Sequence, residues 1–307
     1  MGREHIAVVP DSRPAMHAAL VEAVEAAGGV VVAAEDAEAL VWADPAAVSV
    51  FREHIDAAPN ATWVQLPYAG VETLIDLLDG DHRWTCGKGV YADACAEWMM
   101  ASLLTVFRDM PDFVRAERWP AQTGRNLLGA NITILGGGGL AEAFLRLIEP
   151  WGCTTTVVRR SAEPLAGAAR TVTTAERFDA VREADAVIVC LALTDETRGI
   201  VDAELLAAMP DDAWVLNVGR GPHVVDDDLI AALDAGTVAG AVLDVTDPEP
   251  LPDDHPYWRY DNVLITPHVG NTPEMGLPLI AGRVRENVRR WLAGEELIGP
   301  VDLEAGY

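Results

Sequence analysis

A single lysine, Lys88, stands among 307 residues, and 22 basic side chains face 48 acidic ones, a formal charge of −26. A field of that sign repels polyphosphate, which argues against nucleic acid and acidic membranes as partners and confines any anionic ligand to a local basic spot. The acidic excess itself reads as composition, or as suited to a salty cytoplasm. Cysteine is scarce as well. Cys86, Cys95, Cys153 and Cys190 show no CxxC spacing, and with the seven histidines they form no HExxH or Cys/His cluster, so no metal site is expected. No apolar run is long enough to span a bilayer, and the opening MGREHIAVVPDSRP has no basic segment leading into an apolar one. A cytoplasmic protein with reduced thiols is the expectation.

Half of the residues are hydrophobic and 23% charged, and no long low-complexity tract appears, so the chain has the makings of one large or two medium domains. Short β-branched runs alternate with helical patterns, the signature of a parallel α/β sheet. Ile6 to Val9 precedes a helix with Met16, Leu20, Val24 and Ala27 on one face. VVVAA, a helix around Val48 to Ile55, TWVQL and a helix around Val71 to Leu78 complete a small flavodoxin-like layer. From about Asp93 the stretch ACAEWMMASLLTVFRDM is apolar around much of its circumference and reads as a buried helix linking two bodies. Six more runs follow: NITIL, TTTVV, DAVIVCL, AWVLNV, GAVLDV and NVLIT. That number is what a doubly wound dinucleotide (Rossmann) fold requires. The expected organisation is a smaller substrate domain, residues 1–93 completed by 276–307, into which a cofactor domain of residues 94–275 is inserted. A last helix, Pro278 to Leu292, can pack on either.

Four consecutive glycines, 136–139, lie between NITIL and a helix striped with Leu140, Phe144, Leu147 and Ile148. Strand before and helix after are the context a dinucleotide fingerprint needs, here in the form GxGxxA. Gly136 allows the tight turn, Gly138 lets a pyrophosphate approach the backbone, and Ala141 permits close helix packing; the amides and partial positive charge at Gly139 and Leu140 complete the phosphate site. NAD binders keep a carboxylate at the end of the second strand for the ribose hydroxyls, whereas here that strand ends in Arg159, Arg160 and Ser161. Guanidinium groups suit a ribose phosphate, so NADP(H) is the expected cofactor, with NAD(H) possible.

Arg220, Glu249 and His268 each follow a later strand run, where the ligand crevice of an open parallel sheet lies. Singly, each also suits a structural role, as a turn arginine, a loop end or a strand cap. Together, NVGRGPHVVDDDLIAALDAGTVAGAVLDVTDPEPLPDDHPYW and NVLITPHVG resemble the signature of the D-2-hydroxyacid dehydrogenase family. WVQLPYAGVETL resembles the family's substrate loop and CAEWMMASLL its connecting helix, so the likeness extends over essentially the whole chain. LVWADP and the 159–161 cluster resemble the NADPH-dependent glyoxylate/hydroxypyruvate reductases.

The resemblance implies hydride transfer from NAD(P)H to a small 2-oxo acid, with His268 as proton donor, Glu249 hydrogen-bonded to its imidazole and Arg220 holding the substrate carboxylate. Tyr68, Ala69, Gly70 and Val71 match positions whose amides meet that carboxylate, and Trp42 and Tyr68 are candidate pocket walls, a core role for Trp42 being nearly as attractive. Leu191, Ala192, Thr197, Val218 and Asp244 match cofactor-lining positions, with Gly219 and Gly270 beside them and Asp244 placed to accept from the nicotinamide amide. A homodimer formed through the cofactor domain, two domains closing on the cofactor, and a D-2-hydroxy acid product are also implied. Ala141 and Arg159 depart from the pattern and make NAD an unsafe assumption. A phosphoglycerate or D-lactate dehydrogenase, or a non-catalytic dinucleotide-sensing protein of the same fold, are the competing identities.

Overall fold

The computed structural model describes residues 3–307 as two compact units, one comprising the chain up to Tyr91 together with Thr272–Tyr307, the other Ala92–Asn271. The division falls where two helices begin, at the first residue of one and the N-cap of the other.

The first unit is built on a five-stranded, wholly parallel sheet of β1 (His5–Val9), β2 (Val30–Val31), β3 (Ala39–Trp42), β4 (Trp63–Gln65) and β5 (Arg83–Thr85), in the order β2-β1-β3-β4-β5. Helices α1 (Pro14–Ala26) and α2 (Phe51–Asp56) cross over between strands. Three elements depart from the periodicity, among them the short strand β5, which the pattern does not show. The strand ALVW escapes notice because all four residues are buried and show no alternation. The helix expected around Val71 to Leu78 shrinks to one 3₁₀ turn, Ile75–Leu77.

The second unit carries α3 (Ala92–Phe107) and α4 (Met110–Arg115), then β6 (Asn131–Leu135), α5 (Gly139–Ile148), β7 (Thr154–Arg159), β8 (Arg170–Thr173), α6 (Arg177–Val181), β9 (Ala186–Val189), α7 (Ala203–Ala208), β10 (Trp214–Asn217), α8 (Asp226–Ala235), β11 (Gly240–Leu243) and β12 (Val263–Ile265). Its seven parallel strands run in the order β12-β11-β10-β9-β6-β7-β8. The extra strand, β8, is half-polar RTVT at the sheet edge, too weak a pattern to read from sequence. Strand order reverses between β6 and β9, the topological switch point where ligands of doubly wound sheets bind. α3 packs along α5 through Ala96, Met99 and Leu103, which with Ile132, Ile134 and Phe144 form one face of the core.

The last helix, α9 (Pro273–Ala293), begins five residues earlier than its apolar stripe, because Thr272 caps it by accepting from Met275 N, and Pro278 lies within it. It belongs to the first unit. Ile280, Val284 and Val288 pack with Leu20 and Val24 of α1, the Trp291 and Trp63 rings lie 5.5 Å apart, and buried Asn287 donates to Gln65 Oε1 at 2.7 Å. No helix among the described residues is long and apolar enough to cross a membrane.

Candidate active site

β6 ends in the glycine turn. Gly136 takes φ +119°, a region closed to other residues, and a Cβ there would stand 2.8 Å from the carbonyl oxygen of Cys190, just beyond β9. A Cβ on Gly137 would stand 2.7 Å from Cδ of Arg159, so the arginine stem lies across this glycine. A Cβ on Gly138, the N-cap of α5, would meet nothing within 4 Å. The turn is therefore packed behind Gly136 and open at Gly138, next to the free amides of a ten-residue helix whose partial positive charge attracts anions. Ala141 is fully buried, letting α5 lie close to the sheet. This cradle fits a pyrophosphate. Arg159 at the end of β7 is beside it, followed by Arg160 and by Ser161, whose Oγ accepts from Glu163 N at 3.2 Å.

The loop after β9 is closed by Thr197, whose Oγ1 donates to Ala192 O at 2.7 Å and accepts from Thr194 N at 2.8 Å. The Leu191 amide borders Gly136. The loop after β10 is tied from within. Asn217 Oδ1 accepts from Gly219 N at 3.1 Å and its Nδ2 donates to Arg220 O at 2.8 Å, while His223 Nδ1 accepts from Arg220 N at 3.0 Å. Arg220 Nη1 donates to Gly219 O at 2.7 Å. Gly221 presses on the Thr246–Asp247 peptide so closely that any Cβ would overlap the Thr246 carbonyl, which joins this loop to the one carrying Glu249.

The loop after β12 holds His268. Its Nδ1 lies 2.9 Å from Glu249 Oε2; a carboxylate only accepts, so Nδ1 carries the proton and Nε2 is the ring nitrogen left for other chemistry. Glu249 is steadied by Thr246 N, which donates to Oε1 at 3.2 Å. His268 adopts φ +53°, uncommon for a residue with a side chain and worth roughly 1–3 kcal/mol of strain. The surrounding bonds hold it there. His268 N donates to Asp244 O at 2.8 Å, and Asp244, 2% exposed, gathers the loop on its carboxylate: Val269 N and Thr266 Oγ1 donate to Oδ1 at 2.8 and 2.6 Å, Gly270 N to Oδ2 at 2.7 Å. Thr266 in turn accepts from Trp98 Nε1 at 3.1 Å. Gly270 must lack a side chain, since Asp244 Oδ2 would be 2.9 Å and Val218 Cγ2 3.3 Å from its Cβ. Burial first, then the Asp244 carboxylate, push the Cys95 thiol up to about 11, with Arg220 acting the other way, so this cysteine of α3 stays protonated at neutral pH.

Arg220, Glu249 and His268 thus occupy neighbouring loops at the carboxyl ends of β10, β11 and β12. In the first unit, Tyr68 to Val71 follow β4; Tyr68 is 45% exposed, and the N–H groups of Ala69, Gly70 and Val71 donate to no partner among the described residues. Trp42 requires correction. It is 1% exposed, with ring centroids 4.8 Å from Phe51 and 5.6 Å from His54, and belongs to the core instead of a pocket wall. Asn217, His223, Thr266 and Trp98 went unnoticed in the sequence; the available signal was a polar residue closing an apolar strand, which must find partners if buried.

A phosphate cradle at the switch point, with a guanidinium and an imidazole–carboxylate pair on adjacent strand ends, is the equipment of a nicotinamide-dependent dehydrogenase. The comparisons name the group: residues 98–270 match the model of the D-isomer specific 2-hydroxyacid dehydrogenase NAD binding domain, and the chain belongs to that family. It is 38% identical over 263 residues to an uncharacterized Corynebacterium melassecola protein, covering 83% of this chain and 86% of that one. A glyoxylate/hydroxypyruvate reductase A of Klebsiella pneumoniae is 34% identical over 69% of this chain and 68% of its own. Among solved structures, a D-isomer specific 2-hydroxyacid dehydrogenase from Xanthobacter autotrophicus Py2, in complex with NADPH and MES, superposes with a TM-score of 0.86 over 100% of both chains at 29% identity.

Proposed function

We propose that this dehydrogenase is an NADPH-preferring reductase of small 2-oxo acids of the glyoxylate or hydroxypyruvate type, forming the D-2-hydroxy acid. The observation that carries the proposal is the 2.9 Å bond between His268 Nδ1 and Glu249 Oε2, beside a braced Arg220. In this proposal Gly138, Gly139 and Leu140 hold the pyrophosphate, and Arg159, Arg160 and Ser161 take the ribose phosphate. Three of roughly four acceptor sites on the Asp244 carboxylate are occupied by its own loop, leaving one for the carboxamide. NADPH, when bound, supplies the hydride for the carbonyl carbon.

The rest of the chemistry belongs to the chain. Arg220 binds the substrate carboxylate through its planar fork of donors, and its charge draws electron density toward the carbonyl oxygen. His268, in its imidazolium form, gives the Nε2 proton to that oxygen as negative charge develops there, and Glu249, accepting from Nδ1–H, orients the ring. In the first unit, the unpartnered amides of Ala69 to Val71 are donors of the kind that bind a carboxylate. The Klebsiella relative supports the substrate class and the Xanthobacter complex supports the cofactor.

A spectrophotometric panel of 2-oxo acids against NADPH and NADH tests the proposal. Glyoxylate and hydroxypyruvate should be turned over with higher kcat/KM for NADPH. Dominant NADH turnover overturns the cofactor assignment, and tight NADPH binding without any turnover points to a dinucleotide sensor instead. The same proposal places the enzyme in the cytoplasm, where its four free thiols stay reduced, as a homodimer formed through the second unit, whose Val114 and Trp119 are 78% and 92% exposed. Light scattering that gives the mass of one chain removes the dimer.

A further inference from the structure

We propose that Asn217 and His223 are positioning residues that clamp the backbone of Arg220 and so deliver its guanidinium in one orientation; this rests on the assignment of Arg220 to the substrate carboxylate. Both side chains are 0% exposed, among strands built from valine, leucine and isoleucine. A carboxamide and an imidazole buried there are costly unless their polar atoms are matched. They are matched to the peptide groups on either side of one residue. His223 Nδ1 receives Arg220 N–H at 3.0 Å, and Asn217 Nδ2 supplies Arg220 C=O at 2.8 Å.

Arg220 needs such help. It lies beyond the end of β10, outside the strand ladder, and caps the single 3₁₀ turn Gly221–His223, which contributes one bond, from His223 N to Arg220 O at 3.2 Å. Because Nδ1 accepts, the neutral ring of His223 carries its proton on Nε2, which lies 3.3 Å from Ala192 O and links the clamp to the loop after β9. Asn217 Oδ1 also orients the Gly219 amide, and the carbonyl of that same residue receives Arg220 Nη1 at 2.7 Å. A continuous chain of hydrogen bonds therefore runs from a buried carboxamide to the guanidinium. Gly219 is glycine because a Cβ would stand 2.9 Å from His223 Nδ1.

Two substitutions separate the ring's two contacts. His223→Asn keeps an acceptor near the Nδ1 position, whereas His223→Gln keeps a donor toward Ala192 and loses that acceptor. A misplaced binding group acts on substrate recognition, so His223→Gln should raise KM for the 2-oxo acid about tenfold, with NADPH affinity unchanged, while His223→Asn stays within about threefold of wild type. In an Arg220→Lys background the His223→Gln effect should vanish, since the fork it positions is gone. Should His223→Gln fail to fold, Asn217→Asp, which retains the Oδ1 acceptor and loses the donor to Arg220 O, carries the same expectation. Wild-type KM in His223→Gln, or an equal rise in both backgrounds, overturns the clamp alone. An Arg220→Lys enzyme with unchanged KM overturns the Arg220 assignment, and the clamp with it.

Discussion

The two halves of the site are fixed by opposite means. The turn after β6 keeps its shape through missing atoms: Gly136 because Cys190 leaves no room for a Cβ, while Gly138 leaves open space beside the start of α5. The loops after β10 and β12 keep theirs through added atoms, the buried side chains of Asn217, His223 and Asp244 supplying partners to peptide groups beyond the strand ends. Under the proposed function, steric fixing suits a surface that takes phosphate on its backbone alone. Polar fixing suits side chains that must each point one way.

The difference predicts separable failures. The largest belongs to His268→Ala, which should lower kcat by on the order of a thousandfold while the NADPH dissociation constant, read by fluorescence titration, stays near wild type. A parallel loss of cofactor affinity would blur the division between the two halves. Next comes Asp244→Asn, which turns an NH₂ group either on Gly270 N or on Val269 N and Thr266 Oγ1, all of which now donate to the carboxylate. Denaturant unfolding should show a loss of about 3 kcal/mol, together with lower kcat as the His268 loop relaxes. An unchanged midpoint would mean that the loop is held otherwise. The smallest effects sharpen the comparison inside the turn. Gly136→Ala should cost about 2 kcal/mol of stability, while Gly138→Ala should leave stability within about 0.5 kcal/mol and weaken NADPH roughly tenfold. Equal stability losses at both positions would contradict the open space at Gly138.

The same contrast explains how much could be read from the sequence. A glycine pattern between a strand and a helix is local, so the cradle and the switch-point sheet were legible, and the family signature singled out Arg220, Glu249 and His268, whose roles belong to the proposed function. Buried strands without alternation, such as Ala39–Trp42, were not legible, nor was the polar edge strand Arg170–Thr173. Trp42 shows the limit of matching positions, since its burial against Phe51 and His54 is a tertiary fact. Asn217 and His223 remained silent because a carboxamide or imidazole announces no partner until the chain has folded around it.

The contact of Gly221 with the Thr246–Asp247 peptide has a practical corollary. With no room for a side chain between them, the segment bearing the guanidinium and the segment bearing the carboxylate that steadies the imidazole are packed backbone against backbone. Under the roles proposed for Arg220 and His268, reshaping either segment should alter substrate binding and proton donation together.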